Sequence, residues 1–135
     1  MSSLKQLKTE QKLAGQQLQV IQELETLVKD IERAENTITT LKTELEAVNV
    51  KHQGRKTTRE DIAYLTDLLK CANRKLAWEK QIASLQKRTP AIMDRMEKLI
   101  NDPSAPGDNA ARQAMLAGLQ KVQAAMERLQ GVKVD

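Results

Sequence analysis

The sequence predicts an all-α protein: an elongated antiparallel helical hairpin, or coiled coil, with a third helix packed at one end. Aromatic residues make up only 1% of the 135-residue chain, whereas hydrophobic residues make up 40%. Apolar residues recur every three or four positions over long stretches, as amphipathic helices require. The remainder is rich in helix-forming Gln, Glu, Lys and Arg. Narrow contacts between helices are therefore expected in place of a globular core built around large rings.

The first helix is expected over about residues 3–50. Ser3 and Gln6 have the spacing of a capping box, in which each side chain satisfies the other residue's backbone N–H group. Apolar residues then recur at heptad spacing, and Gln17 is the polar exception. A second apolar track, present only in the first half, predicts a face wide enough for two neighbours. The main track contains Leu13, Val20, Leu24, Leu27, Ile31, Ala34, Ile38, Leu41, Leu45 and Val48, and the second contains Leu7, Ala14, Ile21 and Val28.

The second helix is expected over about residues 58–100. Gly54 marks the preceding turn, and Thr57 with Glu60 has the spacing of a second capping box. Two apolar segments follow, one residue out of phase, which predicts a local change of supercoil. Thr89 and Pro90 predict a kink or a one-residue break, because proline has no N–H group. The first segment contains Ile62, Leu65, Leu69, Ala72 and Leu76, and the second contains Trp78, Ile82 and Leu85.

A third, shorter helix is expected over about residues 108–130. The preceding residues, 101–107, contain two prolines and a glycine and predict a loop. Asp108 is the expected cap of this helix, and Gly131 is expected to end it. The apolar positions that predict its packing face are Met115, Leu119, Val122, Met126 and Leu129.

The lengths of these helices predict how they are arranged in one domain. The first two are about 70 Å and 65 Å long and are joined by a short turn, which favours antiparallel neighbours. The third, about 35 Å long, is expected to turn back along the end where the first helix carries its second track. A three-helix bundle at one end and a two-helix stalk at the other should result. The same heptads also permit a parallel homodimer through the first helix.

The formal net charge of +4 is spread unevenly along the chain. Residues 51–98 carry twelve Lys and Arg against six Asp and Glu, whereas residues 1–50 carry six against eight. This basic region is interpreted as an ordinary solvated face balanced in part by the acidic residues of the first helix, with a surface for an acidic protein partner as the alternative. Nucleic acid is disfavoured, because there are no interleaved aromatic residues for base stacking and no DNA-reading motif. The predicted basic patch consists of Lys51, Arg55, Lys56, Arg59, Lys87 and Arg88.

Neither catalysis nor a cofactor is expected. One His and one Cys are too few for a structural zinc site, and no glycine-rich phosphate loop is present. His52 is interpreted as a solvated turn residue and Cys71 as a small packed thiol. Trp78 is expected to pack in the core, with an anchor for a partner as the alternative. The single cysteine and the lack of a signal-like or membrane-spanning run favour a reducing, cytoplasmic setting.

These features predict a non-catalytic coiled-coil scaffold or adaptor subunit of a larger intracellular assembly. Self-association or a helical partner along the exposed apolar positions is expected. Cytoskeletal, centrosomal or ciliary assemblies are the leading setting, because helical hairpins are common there. A small helical chaperone or assembly factor is the first alternative, in which Met93, Met96, Met115 and Met126 hold a client. A basic nucleic-acid-associated protein is the second.

Overall fold

The computed structural model describes residues 3–102 and 109–131, which form three helices. Helix α1 spans Leu4–Lys51, α2 spans Thr58–Asn101 and α3 spans Asn109–Gln130. At 1.5 Å per residue they are about 72, 66 and 33 Å long. Helices α1 and α2 pack extensively on each other, and α3 packs mainly on α1. The predicted all-α bundle is confirmed; the predicted cap Asp108 and most of the predicted loop lie outside the described residues.

Both long helices begin at a capping residue. At Ser3 the predicted capping box is complete: Gln6 N–H donates to Ser3 Oγ at 3.2 Å, and Ser3 N–H donates to Gln6 Oε1 at 2.8 Å. At α2, Glu60 N–H donates to Thr57 Oγ1 at 3.1 Å. The Glu60 carboxylate, however, accepts from Lys56 N–H at 3.1 Å and not from Thr57. The second capping box is therefore only half formed.

Helix α2 continues through Pro90, so of the two outcomes predicted for Thr89–Pro90, a kink or a one-residue break, the break does not occur. Thr89 does not cap a new helix, because its hydroxyl donates to the Leu85 carbonyl at 2.8 Å inside the same helix. Pro90 and Gln86 are both exposed. Pro90 has no N–H group to donate to the Gln86 carbonyl. Water can reach this exposed carbonyl instead, and this reduces the free-energy cost of keeping Pro90 within the helix.

The main core lies where the three helices meet. The face of α1 predicted from its heptads is confirmed: Leu24, Leu27, Ile31, Ile38 and Leu41 are all buried, and Leu45 is half-buried. Gln17, the polar exception in this track, is also buried. The buried residues that form the main cluster are Leu13, Val20, Leu24, Leu27, Ile31 and Ala34 of α1, Leu85, Ile92, Met96 and Leu99 of α2, and Met115, Val122, Ala125 and Leu129 of α3.

Helix α3 runs parallel to α1 along its widest apolar face. Gly118 lies against Leu24, and ten residues later Arg128 Nε lies 3.2 Å from Glu35 Oε1, so the two helices advance together. Ile21 and Val28 of the predicted second track pack against the core on this side, as do Leu119 and Met126 of α3. Leu7 and Ala14, further towards the N-terminus, are exposed. A bundle at one end and a stalk at the other are thus observed, as predicted.

Candidate interaction surface

A row of ion pairs sets the register of α1 against α2. The partners lie seven, or a multiple of seven, residues apart on both helices and in opposite order, as an antiparallel heptad pair requires. Exposed pairs of this kind contribute about 0–1 kcal/mol each, so they define register more than stability. The pairs are Arg95 Nη2 with Glu23 Oε2 at 2.5 Å, Arg88 Nη1 with Asp30 Oδ2 at 2.8 Å, Arg74 with Glu44, and Lys51 Nζ with Asp67 Oδ2 at 3.5 Å.

This register decides which face of α2 meets α1. Leu68, Cys71, Trp78, Ile82 and Leu85 are buried or half-buried, and their spacing alternates between three- and four-residue steps once the half-buried Lys75 is included. The same spacing continues through the half-buried Thr89 to Ile92, Met96 and Leu99, which are buried. We call these positions of α2 the inner seam. Cys71 is packed within it, as predicted, with 7% of its surface exposed.

Five apolar residues of α2 lie outside the hairpin and form what we call the outer stripe: Ile62, Leu65, Leu69, Ala72 and Leu76. The exposed fractions of its four large side chains are 60%, 61%, 62% and 50%, in chain order, and Ala72 is also exposed. Leu65, Leu69 and Leu76, expected from the sequence to lie in a helix seam or at an interface, are therefore not part of the seam with α1. Helix α2 carries two heptad tracks side by side, and no phase slip separates them. The outer stripe faces none of the described helices.

The outer stripe begins where the cover provided by α3 ends. Leu65 and Ala72 share a heptad position with Ile100, which packs against the core that α3 completes and accepts a hydrogen bond from Arg112 Nη2 at 3.2 Å. The stripe therefore lies on the flank of α2 nearest to α3. Helix α3 ends beside Glu35 of α1, and the register of the ion pairs places Glu35 level with Ala83 of α2. Leu76 lies seven residues from Ala83, so the outer stripe begins about 10 Å further along the stalk.

Positive charge borders the outer stripe on the side away from α1. The heptad positions on that side hold Arg59, Thr66, Asn73 and Lys80, so both charged residues are cations. Neither Arg59 nor Lys80 forms an ion pair with any residue of the described ranges. On the α1 side, Asp61 is engaged by Arg55 Nε at 3.2 Å. An uncompensated basic border thus accompanies the apolar surface.

The tip of the stalk is held together by His52, which contacts Asp67. His52 Nε2 lies 2.8 Å from Asp67 Oδ2, and only 10% of its side chain is exposed, so the prediction of a solvated histidine is wrong. The hydrogen bond with His52, helped by the charge of Lys51, lowers the pKa of the Asp67 carboxyl below its ordinary range. Asp67 thereby links the end of α1 to the beginning of α2.

A second set of contacts at the tip is centred on Tyr64. Its hydroxyl donates to Asn49 Oδ1 at 2.7 Å, and its ring meets the His52 ring edge-on with centroids 5.5 Å apart. The guanidinium of Arg55 lies 3.7 Å from the centre of the Tyr64 ring, within the range of a cation–π contact. The turn is therefore closed by specific side-chain contacts on both sides.

The six residues of the predicted basic patch do not form one surface. Lys51, Arg55 and Arg88 are paired with carboxylates of the same chain. Lys56, Arg59 and Lys87 are exposed and form no ion pair with a described residue. Lys87 lies 28 residues beyond Arg59 on the same helix, a separation of about 42 Å. Of these three cations, Arg59 lies on the border of the outer stripe.

Trp78 joins the stalk to the bundle. It packs against the main core and also against a smaller cluster of Ile38, Leu41 and Cys71 in the stalk. Its Nε1–H donates a hydrogen bond to the backbone carbonyl of Ala34 at 2.9 Å, which ties the Trp78 side chain to α1. Core packing, the interpretation preferred from the sequence, is what the structure shows for this residue.

Shallow grooves between the described helices are open to solvent. One, lined by Gln19, Glu23 and Arg95, lies between α1 and α2, and another, lined by Val28 and Ala117, lies between α1 and α3. Within the described ranges, no cluster of three or more His, Cys, Asp or Glu is placed to bind a metal ion. No described helix is both long and apolar enough to cross a membrane.

Comparison with protein-family models, with curated proteins and with solved structures finds no match for this chain. Its function is therefore inferred from its surface geometry and chemistry. Among the described residues, the outer stripe combines large exposed apolar side chains, heptad spacing and a charged border, and it is the feature most suited to binding another helix.

Proposed function

We propose that this protein is a non-catalytic coiled-coil scaffold or adaptor subunit that binds a helix of another protein along its stalk. The outer stripe is the observation that carries the proposal. A lone exposed leucine is ordinary on a protein surface, but Ile62, Leu65, Leu69, Ala72 and Leu76 follow the heptad spacing of a helix-binding face. Assemblies built from coiled coils, such as those of the cytoskeleton, centrosome or cilium, are the proposed setting.

The energetics favour a partner that covers more than the stripe. Full burial of a Leu or Ile side chain contributes about 1.5–3 kcal/mol, so covering one that is half exposed contributes roughly 1 kcal/mol. Four such side chains give roughly 4 kcal/mol, which only matches the low end of the cost of association, about 4–15 kcal/mol. A partner helix must therefore gain further contacts at the border of the stripe or from α1.

The chaperone alternative loses its main support in the positions of the methionines. Met96 and Met115 are buried in the core, and Met93 and Met126 are half-buried. They stabilise the bundle and offer little free surface to a client. The nucleic-acid alternative is weakened as well, because Lys51, Arg55 and Arg88 are each paired with a carboxylate of the chain.

The proposal is tested by placing a photo-crosslinking amino acid at position 69 of the full chain, in the cell that produces the protein. We expect one predominant crosslinked protein, and we expect the crosslinked segment to be a helix with apolar residues at heptad spacing. The matched control carries the same amino acid at Lys70, the adjacent exposed position of α2. Lys70 points away from the stripe, because neighbouring residues lie about 100° apart around a helix.

The absence of any specific crosslink from position 69 would contradict the proposal, and so would two other results. One is the same set of crosslinked proteins from positions 69 and 70, which would indicate random collisions. The other is a specific crosslink from position 69 to an irregular or globular segment with no heptad helix.

A further inference from the structure

We propose that the outer stripe accepts a single amphipathic helix whose apolar face is flanked by Asp and Glu, supplied by a different protein and placed end to end with α3. This rests on the proposed function and specifies the chemistry of the partner. The apolar centre of the surface is Ile62, Leu65, Leu69, Ala72 and Leu76. The charged ends of its border are Arg59 and Lys80.

Continuity with α3 indicates a single helix as the occupant. Helix α3 covers the bundle end of the hairpin and reaches Glu35 through Arg128. The stripe lies on the same flank of α2 and begins at Leu76, about 10 Å past that point. It continues for 14 residues to Ile62, about 21 Å. A helix in this position would extend the three-helix packing along the stalk, where the hairpin now buries only a thin core.

The charged residues at the border of the outer stripe determine which charge the partner helix should carry. Arg59 and Lys80 lie 21 residues apart, about 31 Å along α2, and so mark the two ends of the binding surface. The polar Thr66 and Asn73 lie between them, and the nearest acidic residue is Glu79, which is exposed beside Lys80 at the bundle end of the stripe. Acidic side chains on the partner would meet both cations, whereas basic side chains would be repelled and so excluded.

A second copy of this chain is a poor occupant, because its own cations would be repelled by the basic border of the outer stripe. Outside the outer stripe, Val50 and Leu116 are single exposed apolar side chains, and the other large ones are Leu4, Leu7 and Leu18 of α1. Residues 4–12 next to them contain three lysines and one glutamate. Pairing that segment with the outer stripe would bring like charges together. Pairing two outer stripes in antiparallel order would bring Arg59 of one copy near Lys80 of the other.

The test uses the full chain and designed 21-residue helical peptides with leucine at the a and d heptad positions. One peptide has glutamate at all e and g positions, a second has lysine there, and a third keeps the glutamates but replaces the leucines with serine. Like charges keep each peptide from pairing with itself. Binding is measured by fluorescence anisotropy at low and at high salt.

We expect the leucine–glutamate peptide to bind roughly tenfold or more tightly than either of the other two at low salt, with a smaller charge preference at high salt. The double variant Leu65→Glu/Leu69→Glu should weaken its binding roughly tenfold or more. Arg59→Glu/Lys80→Glu should instead favour the lysine peptide. The matched control, Leu7→Glu/Leu18→Glu, alters exposed leucines of α1 and should leave binding unchanged.

Several outcomes would overturn the inference. These are equal binding of the glutamate and lysine peptides, binding of the serine peptide as tight as that of the leucine peptide, and no binding of any peptide. A dimer of the chain alone that Leu65→Glu/Leu69→Glu dissociates would also overturn it, because the occupant would then be a second copy. If the crosslink from position 69 still identifies a partner helix, this inference fails while the proposed function stands; if that crosslink fails too, both fail.

Discussion

At the residue scale, a few polar contacts determine how the stalk is closed. Asp67 lies between His52 and Lys51, and both contacts join α1 to α2. The residue types alone do not predict the contact between His52 and Asp67, because a histidine in a polar turn is usually solvated. The contact follows only when the antiparallel register places the beginning of α2 beside the end of α1. The predicted packing of Cys71 and Trp78 is confirmed.

The Asp67 contact predicts a pH-dependent stability. Because its pKa is lowered in the folded chain, the ionised carboxylate favours folding. That contribution is complete above the ordinary pKa of 3.8 and is lost as the pH falls through the lowered value. We expect Asp67→Asn to lower the urea midpoint at neutral pH, and we expect the difference from the wild type to narrow as the pH falls below 3.8.

The control for this experiment is Asp61→Asn, which removes an exposed carboxylate bound to Arg55. Its effect on the urea midpoint should be smaller, because exposed ion pairs contribute little. A difference between Asp67→Asn and the wild type that stays constant from neutral to acidic pH would show that the ionised carboxylate is not the stabilising group.

At the element scale, α1 was predictable from the sequence and the face of α2 was not. In α1 the strongest apolar track is also the buried one, from Leu13 to Leu41. In α2 the leucine-rich track is the exposed one, whereas the buried track includes Tyr64, Lys75 and Trp78. From apolar spacing alone, the leucine-rich track would be chosen as the buried one. Counting back from Leu99 in alternating three- and four-residue steps finds the buried track, because only that track continues unbroken into the bundle.

The contact between α1 and α3 predicts opposite effects for two glycine substitutions. A Cβ atom at Gly118 would lie 3.1 Å from Leu24 Cδ1 and 3.2 Å from Leu24 Cβ, and Leu24 is fully buried. At Gly15, in α1, a Cβ atom meets nothing within 4 Å. Replacing a helical glycine with alanine gains about 0.5–1 kcal/mol, while crowding in a packed interface costs about 1–3 kcal/mol.

We therefore expect Gly15→Ala to stabilise the chain by about 0.5–1 kcal/mol and Gly118→Ala to destabilise it by about 1 kcal/mol. Urea unfolding followed by circular dichroism measures both changes, and Gly15→Ala serves as the matched control for helix propensity. Equal stabilisation by both substitutions would mean that α3 does not lie so close to α1.

At the scale of the whole molecule, the chain divides into a well-packed end and an incompletely covered one. Three helices bury the core between Leu13 and Ala34 of α1, whereas two helices share the small cluster around Ile38, Leu41 and Cys71. Four large apolar side chains of α2 remain at least half exposed on the stalk. This asymmetry is the physical basis for the proposed adaptor role, since one end holds the fold and the other presents the proposed helix-binding surface.

The proposed helix-binding surface depends on the orientation of α2, and thiol reactivity tests that orientation most directly. Leu69 and Cys71 are two residues apart, so their side chains point about 200° apart around the helix. In the purified full-length variant Leu69→Cys, we expect the introduced thiol to be alkylated roughly tenfold or more faster than Cys71, which is protected by packing. Alkylation of Cys71 ahead of the thiol at position 69 would contradict the account, because the outer stripe would then face α1 and no helix-binding surface would remain on the stalk.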